Sequence, residues 1–313
     1  MDDARLIALD WGTSSLRAYL LGEGGTVLDH RAERWGIMQL PEGGFEAAFN
    51  EVTGAWLAER SALRVIAAGM VGSMQGWLEA PYCAAPAGAD ELARSMVEVA
   101  AGPLFIVPGV AQQGDPPNVM RGEETQIVGA LALHPELAAD SLLVLPGTHS
   151  KWVRVRAGLV RGFETYVTGE LFAVLLAHSI LGRPSRGASP PLQAAAADAF
   201  ERGVIAARES ERGVAPLLFS ARALVLAGRL DAAASPDYLS GLLIGDEIRC
   251  GRAAGAAPSA LLGDADLCAR YVQAFELFGT TGVRVLEDTA PAGLWTIAEH
   301  ARLTGPTRPE AVA

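Results

Sequence analysis

A chain of 313 residues, 50% hydrophobic and only 19% charged, is long enough for one large or two medium domains and too apolar to be disordered. Its net charge of −11 argues against a nucleic-acid surface, and no apolar stretch reaches the ~20 residues of a membrane span. Acidic residues 1–5 lead straight into an apolar run, so no signal peptide is expected. Cys83, Cys250 and Cys268 form no CxxC pair, which points to the cytoplasm and away from structural zinc.

In chain order, the apolar run 6–9 reads as a strand, 16–21 as a second and 26–35 as a third, a β-meander whose first turn carries Asp10 and Gly12. Helical spacing follows over 44–60, then a strand at 64–68, a helix at 90–100 and a strand at 104–107. "MRGEETQIVGALAL" (120–133) is a helix with acids at its start. From Leu142 the meander recurs: a strand, a Gly147-Thr148 turn, a strand through Val155, a Gly158 turn and a third strand. Helices are expected at 170–181, 192–212, 216–230, 236–249 and 267–278, with a short strand or turn at 259–263 and a loose tail after Leu303.

Two strand–Gly-Thr–strand units, one in each half, suit one ligand held by both. Glycine turns form concave nests of N–H donors for phosphate oxygens, extended by the hydroxyls of Thr13, Ser14 and Thr148. An acid beside such a nest would repel phosphate unless a cation intervened, and Mg²⁺ held by Asp10 and phosphate oxygens meets that need. No GxxxxGK[ST] stretch supports a P-loop, and no GxGxxG supports a dinucleotide fold. Of 25 Lys and Arg residues a single one is lysine, Lys151, placed just past the second turn, where it can contact phosphate or carboxylate.

Asp10-x-Gly12-Thr13-Ser14-Ser15-x-Arg17 resembles the first phosphate motif of the sugar-kinase, heat-shock-protein and actin superfamily, and Pro146-Gly147-Thr148 resembles the second. "GMVGSMQGWLEAPY", "VMRGEETQ", "LPGTHSKW", "TYVTGELF" and "GLLIGDEI" together resemble, within that superfamily, the 2-dehydro-3-deoxygalactonokinase family over nearly the whole chain. A cysteine often precedes the Gly-Met of the first stretch in that family, where Ala68 stands here. The resemblance implies an α/β fold of two ribonuclease-H-like, actin-like ATPase lobes, 1–139 and 140–313, with the active site in the cleft between them. It implies ATP and Mg²⁺ as cofactors. The reaction implied is phosphorylation of the 6-hydroxyl of 2-dehydro-3-deoxy-D-galactonate, a step of galactonate breakdown.

The family's catalytic base falls on Glu124, with Glu123 as the close competitor. Arg17, on the strand after the first turn, matches a family arginine and is otherwise a solvated side chain. Ser73, Gln75 and Trp77 offer a hydroxyl, an amide and an aromatic face for a sugar acid, or form a surface loop closed by Trp77. Arg121 is the candidate for the substrate carboxylate. His149 contacts substrate or packs on its turn. Thr168-Gly169-Glu170 reads as a helix N-cap. Gly241, Gly245 and Gly263 allow close helix packing or room for adenine, and family position favours the nucleotide for Gly263 alone. The partners implied are a small sugar acid and ATP, without nucleic acid or membrane; whether the chain forms a homodimer stays open. The rival readings are a kinase for another sugar acid or ketose, a phosphatase of the same superfamily, and an ATPase whose nucleotide only switches conformation. A serine hydrolase using Ser73 lacks the GxSxG spacing.

Overall fold

The computed structural model describes residues 3–100, 102–253 and 257–305. β1 (Leu6–Trp11) is an almost unbroken apolar run, and a strand buried on both faces has to be central in its sheet. It pairs antiparallel with β2 (Leu16–Leu21), which pairs antiparallel with the exposed edge strand β3 (Val27–Glu33). α1 (Gly44–Glu59) crosses over to β4 (Arg64–Gly69), which lies parallel to β1 on its other side. Phe49, Val52 and Trp56 of α1 share one core with Ile7, Leu9, Trp11, Leu16, Ala18 and Leu20.

β5 (Tyr82–Ala84), α2 (Ala89–Arg94), β6 (Val97–Glu98), β7 (Leu104–Ile106), β8 (Gly109–Gln112) and β9 (Asn118–Met120) follow, then α3 (Glu123–Leu133). The larger sheet has the order β3-β2-β1-β4-β7-β6, and β5-β8-β9 form a smaller one. The helix expected over 90–100 stops at Arg94, because Val97 and Glu98 pair with β7 instead.

The second meander is β10 (Asp140–Leu145), β11 (Ser150–Arg156) and β12 (Leu159–Tyr166). Four helices come next: α4 (Thr168–His178), α5 (Gln193–Arg208), α6 (Ser220–Leu226) and α7 (Ser235–Ala253). β13 (Ala260–Leu262), α8 (Ala265–Leu277), β14 (Arg284–Leu286) and α9 (Thr289–His300) complete the chain. This sheet has the order β12-β11-β10-β13-β14, with β13 parallel to β10 and β14 parallel to β13. It repeats β3-β2-β1-β4-β7 strand for strand, so the duplication glimpsed in two Gly-Thr turns extends through five strands. α5, α7 and α8 share a core with β10, β11 and β13 through Phe200, Ile244, Tyr271 and Phe275. A second, helical cluster gathers Ala199, Ala207, Tyr238 and Leu242.

The chain forms two compact units, Met1–Ser141 with Arg154–Phe163 and Asp288–Ala313, and Leu142–Val153 with Glu164–Glu287. α9 thus lies in the first unit, although the lobes expected were 1–139 and 140–313. The reason is backbone contact with α3. A Cβ on Gly129 would stand 1.8 Å from Thr289 O, and one on Gly293 1.9 Å from Thr125 O. Residues 306–313, most of the expected loose tail, lie outside the described residues. Among the described residues no helix is long and apolar enough to cross a membrane.

Candidate active site

β1 ends at Trp11 and the chain turns through Gly12–Ser15, with Gly12 N–H donating to Ser15 O at 2.9 Å. Asp10 alternates away from Leu9 and Trp11, so it faces out of the α1 core. It stands opposite Arg17 in the β1–β2 register, Arg17 Nη1 lying 3.6 Å from Asp10 Oδ2. Burial pushes the Asp10 carboxyl up, and the Arg17 charge pulls it partly back. Thr13 and Ser14 are exposed at the tip. The chain after β3 braces the turn: Ile37 N–H donates to Gly12 O (3.1 Å) and Met38 N–H to Thr13 O (3.2 Å).

Two glycines bring α3 to this turn. Gly69, at the end of β4, has φ +97°, and a Cβ there would stand 2.7 Å from Trp11 O. Gly122, just before α3, has φ +105° and lies against Gly69. The first turn of α3 therefore starts beside the end of β1. Glu124 in that turn is 1% exposed. Its carboxylate accepts the Gly122 N–H at 2.9 and 2.8 Å and the Thr125 hydroxyl at 3.3 Å. Burial, with the charge of Glu123 second, pushes its carboxyl up to about 8, against the pull of the helix-start N–H groups and Arg121. Glu123 is only partly buried and accepts the Arg121 backbone N–H at 3.0 Å.

The Arg121 guanidinium is enclosed by the loop that follows β4. Nη2 donates to Ala80 O at 2.8 Å, the guanidinium carbon lies 4.3 Å from the centre of the Tyr82 ring, and Nη1 faces Gly72. Arg121 Nε and Nη1 are buried without a hydrogen-bond partner, and so is the neighbouring Ser73 Oγ. Buried donors of this kind are rare and call for a ligand or water. Gln75 is exposed on the same loop. Trp77 packs its ring against Trp11, Phe45 and Phe49, which anchors the loop to the α1 core.

In the second unit the chain turns at Gly147–His149 between β10 and β11. Gly147 N–H donates to Ser150 Oγ at 3.3 Å. Lys151 is 3% exposed and its Nζ donates to His149 O at 2.9 Å, so the single lysine braces the turn from within. His149 Nε2 and Glu170 Oε2 are 2.5 Å apart, and Glu170 N–H donates to Thr148 O at 3.0 Å. Gly263 follows β13 with φ +141°, where a Cβ would lie 3.5 Å from Pro146 O. Pro146 and Gly263 thus share the carboxyl ends of parallel strands, where α/β sheets bind ligands. Thr168 is not an N-cap: it is the first residue of α4, and its hydroxyl donates to Glu247. Gly241 and Gly245 seat α7 on the α5 backbone at Phe200 and Val204, the close-packing alternative. Sequence reasoning missed Gly69 and Gly122, whose roles lie in contacts far along the chain, and Glu247, hidden in a polar helix stretch.

Among the described residues no three His, Cys, Asp or Glu side chains gather as a metal cage. Mg²⁺ needs none, since it is commonly held by one or two carboxylates, water and phosphate oxygens, and Asp10, paired with Arg17 at 3.6 Å, is such a carboxylate.

A model of the 2-keto-3-deoxy-galactonokinase family matches residues 10–297. The chain belongs to that family. The 2-dehydro-3-deoxygalactonokinase of Escherichia coli (strain K12) is 40% identical over 304 residues, which cover 94% of this chain and 98% of the relative. A crystal structure of a Sinorhizobium meliloti protein provisionally given the same name has 38% identity and a TM-score of 0.84, covering 94% of this chain and 98% of the other. The fold reaches beyond the 2-keto-3-deoxy-galactonokinase family. The activator of the 2-hydroxyisocaproyl-CoA dehydratase from Clostridium difficile, solved with bound ADPNP, has 13% identity and a TM-score of 0.51, covering 95% of this chain and 96% of the other. At that identity the likeness is one of fold, and it is the actin-like ATPase and sugar-kinase architecture that the family motifs imply.

Proposed function

We propose that the protein transfers the γ-phosphoryl group of ATP to the 6-hydroxyl of 2-dehydro-3-deoxy-D-galactonate, giving the 6-phosphate and ADP, in the cytoplasm. The observation that carries this reading is a buried acid beside orphaned cationic donors. Glu124 stands at the start of α3, and three residues earlier Arg121 keeps Nε and Nη1 unpaired next to Ser73. A sugar acid supplies what those groups lack. Its carboxylate suits the planar guanidinium fork and the serine hydroxyl, with Gln75 within the same loop.

Glu124 is then the base. It takes the proton of the 6-hydroxyl as that oxygen forms its bond to the γ-phosphorus and the bond to the β-phosphate oxygen breaks. Carrying the proton on a buried carboxyl with a raised pKa is favourable, and the backbone N–H groups at the start of α3, with Arg121 after them, keep the ionised form within reach before transfer. Asp10 holds Mg²⁺, which neutralises charge on the phosphates, with Arg17 beside it. The hydroxyls of Thr13 and Ser14 in the first unit, and the Gly147-Thr148 turn in the second, are assigned to phosphate oxygens. Gly263, level with Pro146, is assigned to the nucleoside. Lys151 and His149 hold the second turn in shape, Lys151 through the His149 carbonyl and His149 through Glu170.

The test is ADP release with ATP–Mg²⁺ and a panel of sugar acids. Release that depends on 2-dehydro-3-deoxygalactonate supports the reading. Release without any acceptor favours a nucleotide switch, release with a different acid or a ketose moves the acceptor, and phosphate freed from a phosphorylated sugar acid favours a phosphatase.

A further inference from the structure

Glu247 on α7 is 2% exposed, and the side chains that hydrogen-bond it, Thr168, Tyr271, Trp152 and Ser150, are all neutral. Trp152 Nε1 donates to Oε1 at 2.9 Å, Tyr271 OH donates to Oε2 at 2.6 Å, and the Thr168 hydroxyl also donates to Oε2. Burial pushes this carboxyl up, and the donors pull it back. An acid in such a place is a weak source of stability, since apolar packing of similar volume often does as well or better. Its value has to be sought in what it orients.

Two routes lead from it to one turn. Tyr271 spends its proton on Glu247, so its oxygen accepts from Ser150 Oγ at 3.0 Å. The lone pairs of Ser150 then receive the Gly147 N–H. On the other side, Thr168 fixes the start of α4. The next residue, Gly169, is seated where a Cβ would stand 2.5 Å from Gly147 O. Glu170 then takes Thr148 O through its N–H and His149 through its carboxylate. Both routes end on residues 147–149.

We infer that Glu247 is a positioning residue that sets the Gly147–His149 turn from both sides, and through it the affinity for the nucleotide phosphates. The inference rests on the kinase reading of that turn. The polarity of the network makes the carboxylate irreplaceable even by its own amide. Trp152 can only donate, so the oxygen of a glutamine must face it and the NH₂ must face Tyr271 and Thr168. Tyr271 then turns its proton to Ser150, which accepts it on one lone pair and the Gly147 N–H on the other, so the Ser150 proton loses the acceptor it had in Tyr271. A donor without an acceptor would be left under the turn, with the packing unchanged.

The experiment measures binding of a non-hydrolysable ATP analogue with Mg²⁺ by calorimetry, alongside steady-state kinetics and urea unfolding, for Glu247→Gln, Tyr271→Phe and the double variant. Each single change is expected to weaken analogue binding about tenfold, the scale of one hydrogen bond to a charged group. The KM for the sugar acid should stay at the wild-type value, and the double variant should be no weaker than the worse single one. Unchanged analogue affinity with a lowered urea midpoint would make Glu247 a structural brace and overturn the inference, as would additive losses. Because the readout is binding, a wild-type protein that holds the analogue but phosphorylates no sugar acid sinks the proposed reaction alone. One that does not hold the analogue sinks both.

Discussion

Gly122 lies directly on Gly69: a Cβ built on Gly122 would stand 3.3 Å from Gly69 Cα, while Gly69 itself is pressed on the Trp11 carbonyl. The stack Trp11–Gly69–Gly122 fixes how far Glu124 sits from the turn that follows Asp10. Both glycines hold φ near +100°, which a residue with a Cβ adopts only at a cost of order 1–3 kcal/mol.

Gly122→Ala should therefore lose ~1–3 kcal/mol of stability and move the base as well. The expected result is a fall in kcat of ~10-fold or more with ATP binding retained, because displacement by ~1 Å at a reacting group is that costly. Urea unfolding with turnover and analogue binding checks it. Wild-type kcat in a destabilised variant would detach the α3 start from catalysis.

Glu124→Gln should stabilise the protein while disabling it. The folded-state pKa near 8 is raised above the ordinary 4.5, so the folded state holds the proton more tightly than the unfolded chain. Stability from this group is full below about pH 4.5, falls as pH rises from there to about 8, and is level beyond. The whole shift corresponds to at most about 5 kcal/mol, reduced in the variant by burying an amide NH₂. The urea midpoint of Glu124→Gln should exceed that of wild type at pH 8, with the gap closing toward pH 5. Turnover should drop ~10²–10⁴-fold. With Glu123→Gln as control, the reverse ranking would move the base to Glu123.

How much of this was legible follows from where the information sits in the chain. Strand alternation and the two Gly-Thr turns are local, so both meanders and the position of Asp10 could be read residue by residue. β14 and α9 could not. α9 opens Thr-Ala-Pro-Ala-Gly, a weak helical pattern, and Gly293 is there for contact with Thr125 on α3. Thr168 looked like a helix cap because its partner, Glu247, is 79 residues away. Trp77 offered an aromatic face on paper, and only the fold shows that face against Phe45. The orphaned donors of Arg121 are likewise a property of the folded loop, not of the motif that contains it.

Arg121→Met should raise the KM for the sugar acid ~10–100-fold, the range of a charge-assisted hydrogen bond, with the KM for ATP unchanged. Stability should change little, since losing the Ala80 O hydrogen bond and the Tyr82 contact is offset by removing two buried donors that have no protein partner. Arg121→Lys should rescue poorly, because a point charge does not reproduce the fork held between Ala80 O and the Tyr82 ring. A selective rise in the ATP constant would instead place Arg121 at the phosphates, and lost stability with normal kinetics would leave it a packing residue.

Asp10→Asn separates the metal from the base. The acid is partly buried, it pairs with Arg17 at 3.6 Å, and its carboxyl is already pushed up by burial. Neutralising it should cost little stability. A carboxylate that binds Mg²⁺ gives a turnover deficit that depends on the metal, because a weaker ligand can be offset by more ion or by one that binds nitrogen and oxygen donors more tightly. Turnover of Asp10→Asn should thus recover in part as Mg²⁺ is raised, and further with Mn²⁺. The Glu124→Gln deficit should ignore both, since no concentration of cation supplies a proton acceptor. A metal titration of the two variants side by side reads this directly. If the Asp10→Asn curve stays flat, the acid serves Arg17 and the turn, and the cation must be held by the phosphates without it.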